Sequence, residues 1–173
     1  MNDNELDYIP LHVRSCYSIN DGLQNVGDIV KRAAKLGCPA IAVTDFNNMA
    51  GFVRFYNACY GAGIKPIMGA DLQVKENTKP GDPEVIFTVT LLAMNRVGKQ
   101  NLYDILSDAW LHTGSPDIAD VCATVDDLWK YSEGIILLNG FRGDIANFLI
   151  TDEKAQLQER LENYKKYYGD RFC

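Results

Sequence analysis

Ala40-Ile41-Ala42-Val43-Thr44-Asp45-Phe46 sets five uncharged, mostly apolar residues directly before a carboxylate. A strand with one face in water would show polar residues at alternate positions. A continuous run is what a strand covered on both faces requires. The covering elements are visible on either side. Before the run, Val26, Ile29, Val30, Ala33 and Ala34 recur at helical spacing, and Gly37 stands where that helix should stop. After it, residues 52–60 read as a second helix, closed by Gly61. Residues 64–68 form the next strand candidate, with 72–74 continuing it. Strand and helix in alternation predict an α/β fold with a parallel sheet.

The pattern persists outward. Residues 9–13 read as a short opening strand. Residues 75–83, with two prolines and a glycine, read as a surface loop, and 85–93 as a strand. Leu102, Ile105, Leu106 and Ala109 mark a helix, and residues 113–117 a loop. Thr124-Val125-Asp126-Asp127 has the spacing of a capping box opening a short helix. Residues 134–138 are the fifth apolar run. Thr151 is placed to cap a final helix, with Asp152 and Glu153 in its first turn and Leu157, Leu161, Tyr164 and Tyr168 as its buried stripe. No internal repeat or low-complexity tract divides the chain, so one domain over residues 1–173 is expected.

Composition narrows the class. The chain has 173 residues, 47% of them hydrophobic, enough for one sizeable core. The acidic start, residues 1–7, lacks the basic and apolar regions of a signal peptide, and no apolar run approaches a membrane span. The five cysteines are scattered without a C-x-x-C pair, which fits free thiols in a reducing, cytoplasmic compartment. A net charge of −6 without a basic cluster argues against a phosphate-gripping surface.

The functional signal lies at the strand ends. His12 stands near the end of the first strand, Asp45 directly after the second, and Asp71 a few residues after the third. In β/α barrels the loops at the strands' C-terminal ends build the active site, so these groups are expected at one mouth. Converging His and carboxylate groups are how divalent-metal sites are assembled. Each residue also has a plain structural reading. Asp21 can hold the Gly22 turn, Asp45 can cap the following helix, Phe46 can be a core aromatic, and the late tyrosines can be packing.

Residues 10–22, opening Pro10-Leu11-His12-Val13-Arg14, resemble the first motif of the polymerase-and-histidinol-phosphatase (PHP) domain, in the branch found at the start of bacterial DNA polymerase III alpha subunits. Residues 40–46, 61–71, 91–102 and 134–140 resemble the later motifs in the right order. The resemblance implies a partial, distorted (β/α) barrel of the TIM-like PHP type, truncated because a complete barrel needs about 250 residues.

Departures from the family pattern matter as much. Metal-binding members open with H-x-H, and here Arg14 holds the second position. Arg is permanently cationic and cannot ligate a metal. The Asp of the following D-G is kept as Asp21. The family's T-D-H reads Thr44-Asp45-Phe46, so the His is replaced by a ring with no ligand atom. Asp71 stands for a Glu, Thr88 near a His, and Phe141 near a Cys or His. His112 lies on the wrong element to substitute. The resemblance therefore implies the gamma-proteobacterial type with a decayed metal site, no catalytic residue in this segment and no metal. A guanidinium at Arg14 is expected to neutralise Asp21, Asp45 or Asp71. The implied role is a scaffold that docks the proofreading exonuclease subunit and supports the rest of the polymerase and replisome, with DNA reached through the parent protein and no membrane contact. Polymerisation and its Mg²⁺ would lie downstream. The alternatives are an active metal phosphoesterase or 3'-5' exonuclease, and a stand-alone phosphatase of the histidinol phosphatase kind.

Overall fold

The computed structural model describes residues 8–19, 21–76 and 84–173. Two compact units divide at the Ala70–Asp71 bond. The predicted loop at 75–83 lies largely outside the described residues.

The first unit holds β1 (Ala40–Phe46), flanked in sequence by α1 (Val26–Lys35) and α2 (Phe52–Ala62), and the opening residues of β2 (Lys65–Lys75). β1 is buried along nearly its whole length, as its unbroken apolar run predicted. Ile41 and Val43 on one face pack with Val26, Ile29, Val30 and Ala33 of α1 and with Phe55 and Cys59 of α2. The period-two face of the strand thus meets the 3.6-period stripes of two helices. Burial in this cluster pushes the Cys59 thiol up to about 11, so it stays protonated and behaves as a small apolar group.

Two sequence expectations are corrected here. Residues 9–13 are extended but form no regular strand. The Ala42 and Thr44 N–H groups donate to the carbonyls of Pro10 and Val13, while Pro10 has no N–H to return and Val13 donates instead to the Thr44 hydroxyl. The glycine that ends α2 is Gly63, at φ 69°, not Gly61. Cys59 and Tyr60 carbonyls accept the N–H of that left-handed cap, which only glycine adopts without strain.

The second unit holds the rest of β2 with β3 (Ile86–Ala93), α3 (Arg96–Thr113), β4 (Ala123–Thr124), α4 (Val125–Lys130), β5 (Ile135–Leu138), α5 (Asp144–Ile150) and α6 (Lys154–Tyr168). β4 runs parallel to β2, but β3 and β5 are antiparallel, pairing Thr90 with Leu138 through Ala93 with Ile135. The fold is α/β as expected, and its sheet is mixed rather than purely parallel. A purely parallel sheet needs a crossover at every link between neighbouring strands. Here the Glu76 N–H donates to the Val85 carbonyl, joining the residue after β2 to the residue before β3.

The capping box at Thr124 and Asp127 is formed. Gly98, on the first turn of α3, lies so close to Gly134 that a Cβ would fall 1.9 Å from its carbonyl oxygen, which leaves no room there for any other residue. The last two helices depart from expectation. Thr151 does not cap the final helix; it closes α5, its hydroxyl donating back to the Asn147 carbonyl, and Asp152 turns left-handed at φ 56° before α6 begins. The buried residues of α6 are Arg160, Tyr164 and Tyr168, four apart, with Leu161 at the surface.

Candidate functional site

In the first unit the predicted positions gather around the segment preceding α1. Asp45, at the end of β1, is buried and fully engaged. Its Oδ1 accepts the Ser15 N–H at 2.7 Å and the Ser18 hydroxyl at 2.6 Å, and its Oδ2 accepts the Ser15 hydroxyl at 2.8 Å. The Ser18 oxygen accepts the Phe46 N–H at 3.0 Å. Asp45 therefore ties the family's first motif to its second rather than capping α2, whose N-cap is Gly51 with no side-chain bond.

Arg14 pairs with Asp21, one of the three carboxylates expected for it, and its guanidinium carbon sits 5.2 Å from the centroid of the Phe46 ring. Arg14 and Phe46 thus touch each other, a cation over an aromatic face, with Asp21 as counter-charge. The turn that presents Asp21 leaves no room at the next residue: a Cβ on Gly22 would lie 1.8 Å from the Ser15 carbonyl oxygen. His12 is exposed on the extended segment.

In the second unit Asp71 is buried in β2, and the Thr90 hydroxyl donates to its Oδ1 at 2.7 Å. Thr88, two residues along β3, shares the face of Thr90. Its N–H donates at 2.9 Å to the carbonyl of Arg142, next to Phe141, so these two positions are brought to one corner. Phe141 itself is exposed, under the guanidinium of Arg142. His112, near the end of α3, is exposed.

Sequence reasoning missed a buried polar cluster in the same unit. Arg160 donates from Nη1 to Asp144 Oδ2 at 2.8 Å and from Nη2 to Glu76 Oε2 at 2.6 Å. Asp144 also accepts from Asn139 Nδ2, its neighbour's Ile145 N–H and the Tyr164 hydroxyl. The rings of Phe87, Trp129 and Phe148 lie 5.6–6.0 Å from the Arg160 guanidinium carbon. Burial, then the negative Asp144 beside it, pushes the Tyr164 phenol well above its usual range, so it donates at every physiological pH. Burial opposes the charge on Arg160, but Asp144 and Glu76 outweigh it and raise its pKa. A sequence signal existed. Arg160 lies one and two helical turns before Tyr164 and Tyr168, a cation on the stripe read as apolar.

A metal centre of the kind the family uses does not fit this donor set. Arg14 and Phe46 offer no ligand atom, and Asp45 already accepts three hydrogen bonds. Among the described residues no three His, Cys, Asp or Glu side chains stand close enough to share an ion.

Comparison with known proteins gives the class. The PHP domain family profile matches residues 10–173, and the chain belongs to that family. The DNA polymerase III subunit alpha of Escherichia coli is 40% identical over 170 residues, and that of Vibrio cholerae 35% over 168. The alignments take in 98% and 95% of this chain, which spans 14% of the length of either relative. Among solved structures, a two-domain protein of Bacteroides vulgatus containing a predicted PHP-like metal-dependent phosphoesterase is similar over 76% of this chain and 34% of its own, at 15% identity and a TM-score of 0.43. An amidohydrolase from Chromobacterium violaceum is similar over 71% and 43%, at 20% identity and a TM-score of 0.44. No helix among the described residues is long and apolar enough to cross a membrane.

Proposed function

We propose that this chain is the PHP module at the start of a replicative DNA polymerase catalytic subunit, and that the module hydrolyses no phosphoester itself. The observation carrying this reading is the contact of Arg14 with Phe46 and Asp21. Metal-dependent phosphoester cleavage needs ions that activate a water and stabilise the phosphoryl oxygens. A fixed guanidinium at a ligand position neutralises a carboxylate and repels a cation, and a phenyl ring fills the space of a second ligand. The module then acts as a cytoplasmic scaffold, docking the proofreading exonuclease subunit and supporting a polymerase body that binds Mg²⁺ and DNA through residues outside this chain.

Elemental analysis of the purified chain, with nuclease and phosphatase assays in added Mn²⁺ and Zn²⁺, tests the chemical half. No stoichiometric metal and no hydrolysis are expected. Bound metal with turnover abolished by His12→Ala or Asp71→Ala would overturn the reading and favour an active phosphoesterase. Mixing the chain with the exonuclease subunit on a sizing column tests the docking half: co-elution supports it, and separate elution at concentrations of tens of micromolar rejects it. The net charge of −6 further implies primer-template affinity no better than the roughly 10⁻⁴–10⁻⁶ M of non-specific binders.

A further inference from the structure

From residue 29 to residue 70 the chain carries Lys31, Arg32, Lys35, Arg54 and Lys65, all exposed, and the one carboxylate there, Asp45, is buried. The whole chain has a net charge of −6, so this stretch departs in sign from the rest. Asp28, just before it, is engaged by Asn25 and lies 3.9 Å from Lys31. The stretch forms most of α1, then β1 and α2. Both helices pack on the Ile41 and Val43 face of β1, so they lie side by side and turn a common surface to solvent.

The α2 half of that surface is apolar. Val53, Tyr56 and Tyr60 share one side of the helix, three and four positions apart, and are 68%, 47% and 80% exposed. The Tyr56 and Tyr60 rings are stacked with centroids 6.5 Å apart, and the Phe52 ring extends the ladder, 6.2 Å from Tyr56. A contiguous apolar patch held toward water in this way marks an interaction site. Cations frame it. Arg54 follows Val53 on the same helix. At the other end, Ile64 N–H donates to the Cys59 carbonyl and Lys65 N–H to the Pro39 carbonyl, both at 3.0 Å, which brings Lys65 beside the turn that closes α1. Lys35 stands in the last turn of α1.

We propose that the α2 face docks a segment of a partner protein that carries apolar side chains and carboxylates together. The apolar side chains lie on Val53, Tyr56 and Tyr60, and the carboxylates reach Arg54, Lys65 and Lys35. Charge complementarity selects this partner. A cationic frame without an exposed carboxylate attracts an acidic segment and disfavours a basic one, and an interface centred on aromatic side chains needs apolar groups opposite. A nucleic-acid strand fits less well. The cations are spread over two helices rather than clustered along one stripe, and Tyr56 turns a ring face to Tyr60 rather than outward to a base. The docking role proposed for the module gains a surface and a partner chemistry, and the inference rests on that reading.

The probe is a fluorescein-labelled helical peptide with leucines along one face and glutamates flanking them, titrated with the chain and read by anisotropy. Saturable binding is expected. Val53→Gln with Tyr60→Gln should weaken it at least about tenfold, and Arg54→Gln with Lys65→Gln about threefold. Leu111→Gln, at a position 79% exposed on α3 of the second unit, should change nothing. An unchanged urea midpoint shows that each variant is folded, and the Arg54 and Lys65 pair leaves the ladder itself intact, so it reports on the face even if the first pair unfolds. The inference is overturned by a peptide that does not saturate at about 1 mM chain, by variants that bind like the parent chain, or by a peptide with lysine for every glutamate that binds as tightly. Tighter binding of an oligothymidylate than of the acidic peptide overturns it as well and reassigns the face to nucleic acid. Co-elution with the exonuclease subunit separates the two readings. Peptide binding on this face without co-elution sinks only the exonuclease as partner, and co-elution that the face variants leave intact sinks only the α2 surface.

Discussion

Each unit contains an arginine paired with a carboxylate and set against an aromatic ring, and the two arrangements differ in burial. In the first unit the Arg14 side chain is 17% exposed and its partner Asp21 50%. In the second, Arg160 is 9% exposed and Asp144 2%, with a second carboxylate, a phenol and three rings closing the site. Coulomb attraction between partly solvated charges is screened, and holding long side chains costs entropy, so the Arg14 pair stabilises little. The Arg160 pair is shielded, and neither partner can be left alone without stranding a charge in a poorly solvated interior. The contrast bears on function as much as on stability. The Arg14 pair adds little to stability, while removing either partner of the pair that the sequence did not announce leaves a buried charge alone.

The largest effect expected from breaking this comparison is in the second unit. Arg160→Met keeps a long apolar stem but leaves Asp144 and Glu76 without their cation. Urea unfolding should show a loss of about 3–5 kcal/mol. A loss below about 1 kcal/mol would mean that the cluster is solvated and that the contrast between the units is wrong. Next comes Asp45→Asn in the first unit. An amide can accept from one side only, and its NH₂ would meet the Ser15 N–H or a serine hydroxyl. About 1.5–3 kcal/mol should be lost, as for hydrogen bonds to a buried charged group. The same measurement on Ser18→Ala should give a smaller value, because the two Ser15 bonds to Asp45 remain. The smallest effect belongs to Arg14→Gln, at most about 1 kcal/mol, and it should shrink further in about 1 M salt, where the screening length is about 3 Å. If it matched Arg160→Met and ignored salt, Arg14 would be a structural clasp and the contrast between the units would fail.

Much of the fold was legible in the sequence for local reasons. The unbroken apolar run of β1, the helical spacing of α1 and the Thr124 capping box each depend on residues within a few positions of one another. The element boundaries that went wrong turned on single residues: the left-handed turn after α2 falls at Gly63 rather than Gly61, and Thr151 closes α5 instead of opening α6. Single-residue backbone choices like these are settled by packing. The resemblance of the motifs placed His12, Arg14, Asp21, Asp45, Phe46, Asp71, Thr88 and Phe141 as positions to watch.

The sequence by itself determined most of the strands and helices, though neither α5 nor the absence of a strand at 9–13, and the chemistry of Arg14 and Phe46: a cation and a phenyl ring cannot bind a metal wherever the chain puts them. Only the tertiary structure decided that Arg14 meets Asp21 and Phe46, that β3 and β5 run antiparallel, and that Arg160 lies among Glu76, Asp144 and three rings. Such contacts join residues as far apart as 84 positions in the chain. Hydrophobic period and capping chemistry act over one or two turns and carry no record of them. They form because a buried charge must find its partner, and which partner it finds is set by the packing of elements distant in sequence.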